Sequence, residues 1–109
     1  MCGNMSSDEY SLLVTRARTR VLSGGVPGLH HACQTLLQLL WIYKNEPVPQ
    51  LQIRDKPSLR VRGVLVDLAA YGRLSTFDTF SGNVRTLSKL KMNQLHLFIR
   101  LTPQQVSCS

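Results

Sequence analysis

Asp8-Glu9 is the only place in this 109-residue chain where an aspartate and a glutamate stand side by side. A carboxyl group acts as a general acid only when it is held over the bond it must protonate. His30-His31 suggests a metal, but neighbouring helix positions point about 100° apart and cannot share a tetrahedral ion unaided. Cys2, Cys33 and Cys108 are odd in number and have no CxxC spacing, so neither a disulfide framework nor a metal site follows. Cys33 falls on the apolar side of an expected helix and reads as a buried small hydrophobe. Trp41, between Leu40 and Ile42, reads as helix packing rather than a sugar platform. Asp67 closes an apolar run, where it either meets a ligand or caps the next loop. Arg62 opens the same run and, on the residues alone, is a strand-end arginine facing water. No metal and no cofactor is expected.

These side chains need elements to hold them. Glu9 to Val14 puts Tyr10, Leu12 and Val14 on one face of a strand. Ala17 to Leu22 is a second strand, and Arg16, Arg18 and Arg20 alternate as if sharing one of its faces. Ser23-Gly24-Gly25 is a turn by composition. Pro27 suits the first turn of a helix, and Leu29, Ala32, Cys33, Leu36, Leu37 and Leu40 recur at helical spacing. Pro47 and Pro49 stop it, and Leu51 with Ile53 makes a short extended piece. Arg54-Asp55-Lys56-Pro57 is a polar connector and a candidate boundary.

Leu59 to Leu68 is a strand whose unbroken Val64-Leu65-Val66 suits cover on both faces. Ser75 or Thr76 caps a helix over about Phe77 to Lys91, weakened by Gly82. Lys89 and Lys91 suit its carboxyl end. Leu95 to Leu101 is the last strand. The latter half thus reads as strand, helix, parallel strand.

The formal charge of +7 rests on 13 basic residues against only 6 acidic ones, so missing acids explain part of it. The basic residues are scattered, so no nucleic acid is expected as a partner. With 43% hydrophobic residues the chain has a globular composition, not that of a disordered segment. Its longest greasy stretch, Leu36 to Tyr43, is far short of a bilayer span of about 20 residues. The first nine residues show no signal peptide, so a cytoplasmic location is expected if translation starts as given.

Taken in order, several stretches resemble glycoside hydrolase family 20, the β-N-acetylhexosaminidases. Asp8 to Leu12 is similar to a strand of the family's small amino-terminal domain. Gly28-Leu29 and Gln34-Thr35-Leu36-Leu37-Gln38-Leu39-Leu40 are similar to its helix motif. Val48-Pro49 and Ile53-Arg54-Asp55-Lys56-Pro57 look like the crossing into a catalytic barrel. Arg62-Gly63-Val64-Leu65-Val66-Asp67 is similar to barrel strand one. Gly72-Arg73-Leu74-Ser75-Thr76 resembles the loop of one family branch, and Lys91-Met92-Asn93-Gln94-Leu95-His96-Leu97-Phe98 is similar to strand two.

The resemblance implies an α/β architecture. Residues 8–54 would be the end of the non-catalytic amino-terminal domain, and 57–101 the start of a (β/α)8 TIM barrel, with tails at 1–7 and 102–109. It implies removal of terminal N-acetylhexosamine from glycans, as a substrate-assisted exception to the two-carboxylate scheme. In such enzymes the substrate's acetamido oxygen attacks the anomeric carbon. An aspartate orients the acetamido group while the adjacent glutamate protonates the leaving oxygen. That pair belongs to a middle barrel strand, so Asp8-Glu9, in the small domain, is not it. No catalytic residue is assigned. Arg62 matches the family's strand-one arginine, implying hydrogen bonds to sugar hydroxyls in a complete enzyme.

The pattern departs at Ala69-Ala70-Tyr71, where many members have Ser-Arg-His. It departs again from Phe98-Ile99-Arg100-Leu101, where a second histidine and acids are usual. A truncated or alternatively spliced hexosaminidase, inactive by itself, is therefore expected, with self-association through exposed strands. The alternatives are a non-catalytic interaction module and a basic nucleic-acid-binding protein.

Overall fold

A computed structural model describes residues 4–68 and 76–99. The chain divides into two compact units that part between Arg60 and Val61.

The first unit is a three-stranded antiparallel sheet with one helix against it. β1 (Tyr10–Val14) lies between β2 (Thr19–Ser23) and β3 (Leu51–Asp55), and α1 (Val26–Ile42) joins β2 to β3. Tyr10, Leu12 and Val14 alternate into the core as the period of two requires. They meet Ala32, with Val21, Leu36, Leu39, Val48, Leu51 and Ile53 packed around them. The β1–β2 hairpin has no Asn-Gly turn. Thr15 closes it instead, its backbone N–H and hydroxyl both donating to the Arg18 carbonyl while its Oγ1 accepts from the Arg18 N–H. Arg16 and Arg18 therefore lie in the loop, and of the alternating arginines only Arg20 is on the strand.

β3 runs through Arg54 and Asp55, two residues expected in a connector. They pair across the sheet with Ser11 and Tyr10. The Tyr10 hydroxyl donates to Asp55 Oδ2 at 3.1 Å, and with that proton committed it accepts from Thr35 Oγ1 at 2.7 Å. A nearly buried phenol thus ties β1, α1 and β3 together, satisfying the polar end of an otherwise apolar side chain.

α1 packs through Gly28, His31, Ala32, Thr35, Leu36 and Leu39, and this corrects the sequence reading of its face. Cys33, expected in the core, is exposed, as are Leu29, Leu37 and Leu40. Trp41 is 74% exposed and packs into no core of this unit. The reason is steric. A Cβ on Gly28 would stand 2.4 Å from the Glu9 carbonyl oxygen, so the helix approaches the sheet on its glycine side. Gly24, just after β2, is held as tightly, 2.1 Å between its would-be Cβ and the Ser6 carbonyl oxygen.

The second unit is one strand–helix–strand. β4 (Gly63–Asp67) and β5 (Gln94–Phe98) run parallel, joined through α2 (Phe77–Lys89). Thr76 caps α2, its Oγ1 accepting from the Thr79 N–H, with Asp78 in the first turn and Lys89 in the last complementing the dipole. The expected alternative cap, Ser75, and Leu101 of the expected last strand lie outside the described residues. Val64 and Val66 are half-buried while Leu65 is 70% exposed, so the apolar run is covered on one face within this unit, not on two. A small α/β fold of five strands and two helices is what the described residues form.

Candidate functional site

Arg62 and Asn93 stand at the amino ends of the two parallel strands and hold each other. The Arg62 N–H donates to Asn93 Oδ1 at 2.8 Å, and the Asn93 N–H donates to the Arg62 carbonyl at 2.9 Å. The Gln94 N–H donates to the same carbonyl. The amide side chain thereby extends the ladder one step before β4 begins.

Lys91 completes the arrangement. α2 ends with Leu90 as its C-cap, and Lys91 takes the left-handed conformation, φ 58°. The Lys91 N–H donates to the Ser88 carbonyl and the Met92 N–H to the Leu87 carbonyl, the two bonds of a Schellman ending. A lysine there costs about 1–2 kcal/mol relative to glycine's freedom. The turn leaves the Lys91 carbonyl accepting from Arg62 Nε at 2.9 Å. That bond restrains the half-buried Arg62 side chain.

Asp67 and Phe98 lie at the opposite ends of the strands and are register partners. In barrel enzymes the carboxyl ends of the strands gather the catalytic groups. The loop that would follow Asp67, including Gly72 to Ser75 and Ala69-Ala70-Tyr71, is outside the described residues. His96 Nε2 lies 3.0 Å from Gln94 Oε1 on the exposed side of β5.

The Asp8-Glu9 pair is used structurally. Arg54 donates from Nε and Nη2 to Glu9 Oε1, each at 2.9 Å, and the Ser6 N–H donates to Oε2 at 3.2 Å. The Arg54 hydrogen bond, followed by that from Ser6, holds the Glu9 carboxyl below its ordinary range. A general acid needs the reverse, a carboxyl raised toward neutrality. Asp8 lines an open cleft of about 530 Å3 with Lys56 and Arg60, away from any second carboxylate of that wall. Among the described residues no three His, Cys, Asp or Glu side chains converge as metal ligands do. His31 is buried and His30 exposed, so the adjacent histidines face different surroundings.

Asn93 stands in the strand-two motif with no task visible from the sequence, and the Lys91 carbonyl that receives Arg62 is a partner that residue types alone do not reveal. A Lys-x-Asn ending directly before an apolar run was the available signal; the left-handed turn had none, because glycine is absent there.

Residues 3–56 match the family model described as glycosyl hydrolase family 20, domain 2. A β-hexosaminidase subunit beta of Entamoeba histolytica is 28% identical over 97 residues, covering 84% of this chain and 16% of that protein. An N,N'-diacetylchitobiase of Vibrio harveyi is 32% identical over 72 residues, covering 66% of this chain and 8% of that one. Among solved structures, a β-N-acetylhexosaminidase superposes with a TM-score of 0.77 at 32% identity, over 85% of this chain and 20% of its own. An inactive mutant of a family 20 exo-β-N-acetylglucosaminidase from Vibrio harveyi gives 0.74 at 26% identity, over 85% and 15%. The chain thus spans a small fraction of the length of each relative.

Proposed function

We propose, for a chain that belongs to glycosyl hydrolase family 20 through its residues 3–56, that it supplies the non-catalytic domain and the opening of the catalytic barrel of a β-N-acetylhexosaminidase. On this reading residues 8–54 end the first domain, and 57–101 hold barrel strand one, its helix and strand two. The observation that carries it is the solved β-N-acetylhexosaminidase's superposition over 85% of the chain, well beyond the residues the family model matches. The parallel β4–α2–β5 unit has the connectivity from which such barrels are built.

The complete enzyme would remove terminal N-acetylhexosamine from glycans, the substrate's acetamido group serving as nucleophile and an Asp-Glu pair orienting and protonating. These 109 residues alone would not turn over, because the glutamate of their one Asp-Glu pair is bound by Arg54, which holds its carboxyl below the ordinary range. Arg62 is the substrate contact. From the amino end of the first strand its long side chain would meet sugar hydroxyls at the floor of the pocket. Lys91 and Asn93 hold it ready.

A hybrid tests this. Residues 8–99 replace the matching stretch of the Vibrio harveyi exo-β-N-acetylglucosaminidase. Turnover of an N-acetylglucosaminide is expected, and Arg62→Ala in that hybrid should raise KM at least about tenfold through loss of a charge-assisted contact. A folded hybrid without turnover refutes the placement. An unchanged KM refutes the sugar contact.

A second reading, an interaction module, is favoured by one observation: α1 shows an apolar face that its own sheet does not use.

A further inference from the structure

The basic residues are scattered along the sequence, but the register of the first sheet gathers several of them on one face. Tyr10, Leu12 and Val14 turn one side of β1 toward α1, so the alternate positions face away from the helix. On that outer face Arg20 lies level with Leu13 and Gln52, and Arg54 lies level with Ser11 and Leu22. Arg18 stands two residues before Arg20, opposite Thr15, and Lys56 two residues after Arg54, so each extends its row. All four cations are exposed, and the Arg54 side chain is 71% so. β2 and β3 flank β1 and are therefore about 10 Å apart. Arg18 and Lys56 stand six residue steps apart along them, about 20 Å. The cations thus form a diagonal track across the sheet. The acids beside it are Glu9, which Arg54 binds, and Asp8, which shares a cleft with Lys56. Arg18 and Arg20 make no ion pair among the described residues.

We propose that this face of the sheet, the side away from α1, docks an unbranched sulfated polysaccharide. Three features select that partner. The first is charge. Three of the four cations are arginines, whose planar forks match the paired oxygens of a sulfate group. The second is shape. A narrow diagonal track follows a linear chain, whereas a lipid surface would engage the whole plane of the sheet. The third is what stands between the charges. Ser11 and Gln52 offer a hydroxyl and an amide there, which donate to and accept from ring hydroxyls. Nucleic acid fits less well. Among the described residues no aromatic side chain stands on this face, and single strands are held by stacking on aromatic rings. Three strands are too broad for the major groove of a duplex, which admits a two-stranded ribbon. The inference stands on the first unit alone and does not require that the chain open a catalytic barrel.

Titration calorimetry of the 109-residue chain with heparin tests this. Saturable binding is expected at low salt. With about 0.7 counterion released per contact, four contacts should weaken it about fiftyfold between roughly 50 and 200 mM salt. Arg18→Gln combined with Arg20→Gln should weaken binding at least about tenfold at the lower salt, by loss of two of those contacts. Lys44→Gln combined with Arg85→Gln removes the same charge elsewhere, after α1 and on α2, and should change it less than about twofold. Circular dichroism should be the same for all three chains. Heparin stripped of its sulfates should not bind. Equal weakening by the two pairs of substitutions would reduce the effect to net charge and overturn the proposal. So would an absence of binding at low salt, equal binding of the desulfated polymer, or tighter binding of single-stranded DNA or of phosphatidylserine vesicles at the same salt.

Discussion

Removing the Leu12 side chain should unfold the first unit or bring it to the edge of unfolding. Leu12 is the central residue of β1, with Val21 and Ile53 as its register neighbours on either side, and it is 0% exposed. Among the described residues Tyr10, Leu12, Val14 and Ala32 make up the buried hydrophobic cluster, and the side chains packed around it are only partly buried, so little material is at hand to fill the space. A buried Leu→Ala change costs about 2–5 kcal/mol, and more when the surroundings cannot collapse into the space. Here the strands are fixed by ladders on both sides of β1, which places Leu12→Ala in the upper part of that range. At about 0.05–0.15 kcal/mol per residue, a unit of some sixty residues has roughly 3–9 kcal/mol in all. With a urea slope near 1 kcal/mol per molar, the midpoint should fall by about 4–5 M, or vanish. Urea titration followed by the ring resonances of Tyr10 reads this unit, because Tyr10 is buried in its core. Leu65→Ala, 70% exposed on β4, should change stability by less than about 0.5 kcal/mol. A Leu12→Ala loss below about 1 kcal/mol would refute the assignment of the core to this face of β1.

Four further perturbations follow from the same geometry. The Glu9 carboxyl titrates below its ordinary value in the folded chain, so its contribution is complete above the unfolded pKa and disappears as pH falls through the folded one. Glu9→Gln should therefore lower Tm at neutral pH, with the difference from the parent closing below the usual carboxylate range; thermal melts from neutral to strongly acidic pH check it. Gly28→Ala should destabilise by more than about 1 kcal/mol although alanine is the better helix former, because its Cβ would meet the Glu9 carbonyl. Gly82→Ala, with nothing within 4 Å, should stabilise α2 by about 1 kcal/mol, so denaturant titration of the two variants should give opposite signs. Lys91→Gly should stabilise the second unit by about 1 kcal/mol by relieving the left-handed lysine, and amide exchange of β5 should slow.

Period-two and helical patterns were readable wherever one face decides an element. β1, α1 and α2 lie within a residue or two of where their spacing puts them, and Thr76 caps as its side chain suggests. Burial on α1 was not readable, because two apolar stripes compete in the sequence. The packed one is chosen by Gly28 and Ala32, whose small size lets the helix close on β1. Leucine spacing points to the other, the stripe that carries Cys33 and Trp41. β3 was cut short because Arg54 and Asp55 look like loop residues until Glu9 and Tyr10 are seen opposite them. At the candidate site Arg62 was legible only through a motif. Its partners required the fold, since Lys91 acts through a backbone carbonyl and Asn93 across 31 residues of sequence.

Hydrolysis of a chromogenic N-acetylglucosaminide by the purified 109-residue chain tests most directly whether these residues are the opening of an enzyme rather than an enzyme. Release equal to the protein-free blank is expected at every substrate concentration. Release that saturates with substrate, scales with chain concentration and disappears in Glu9→Gln would contradict the account, since it would make the Arg54-bound carboxylate a proton donor after all.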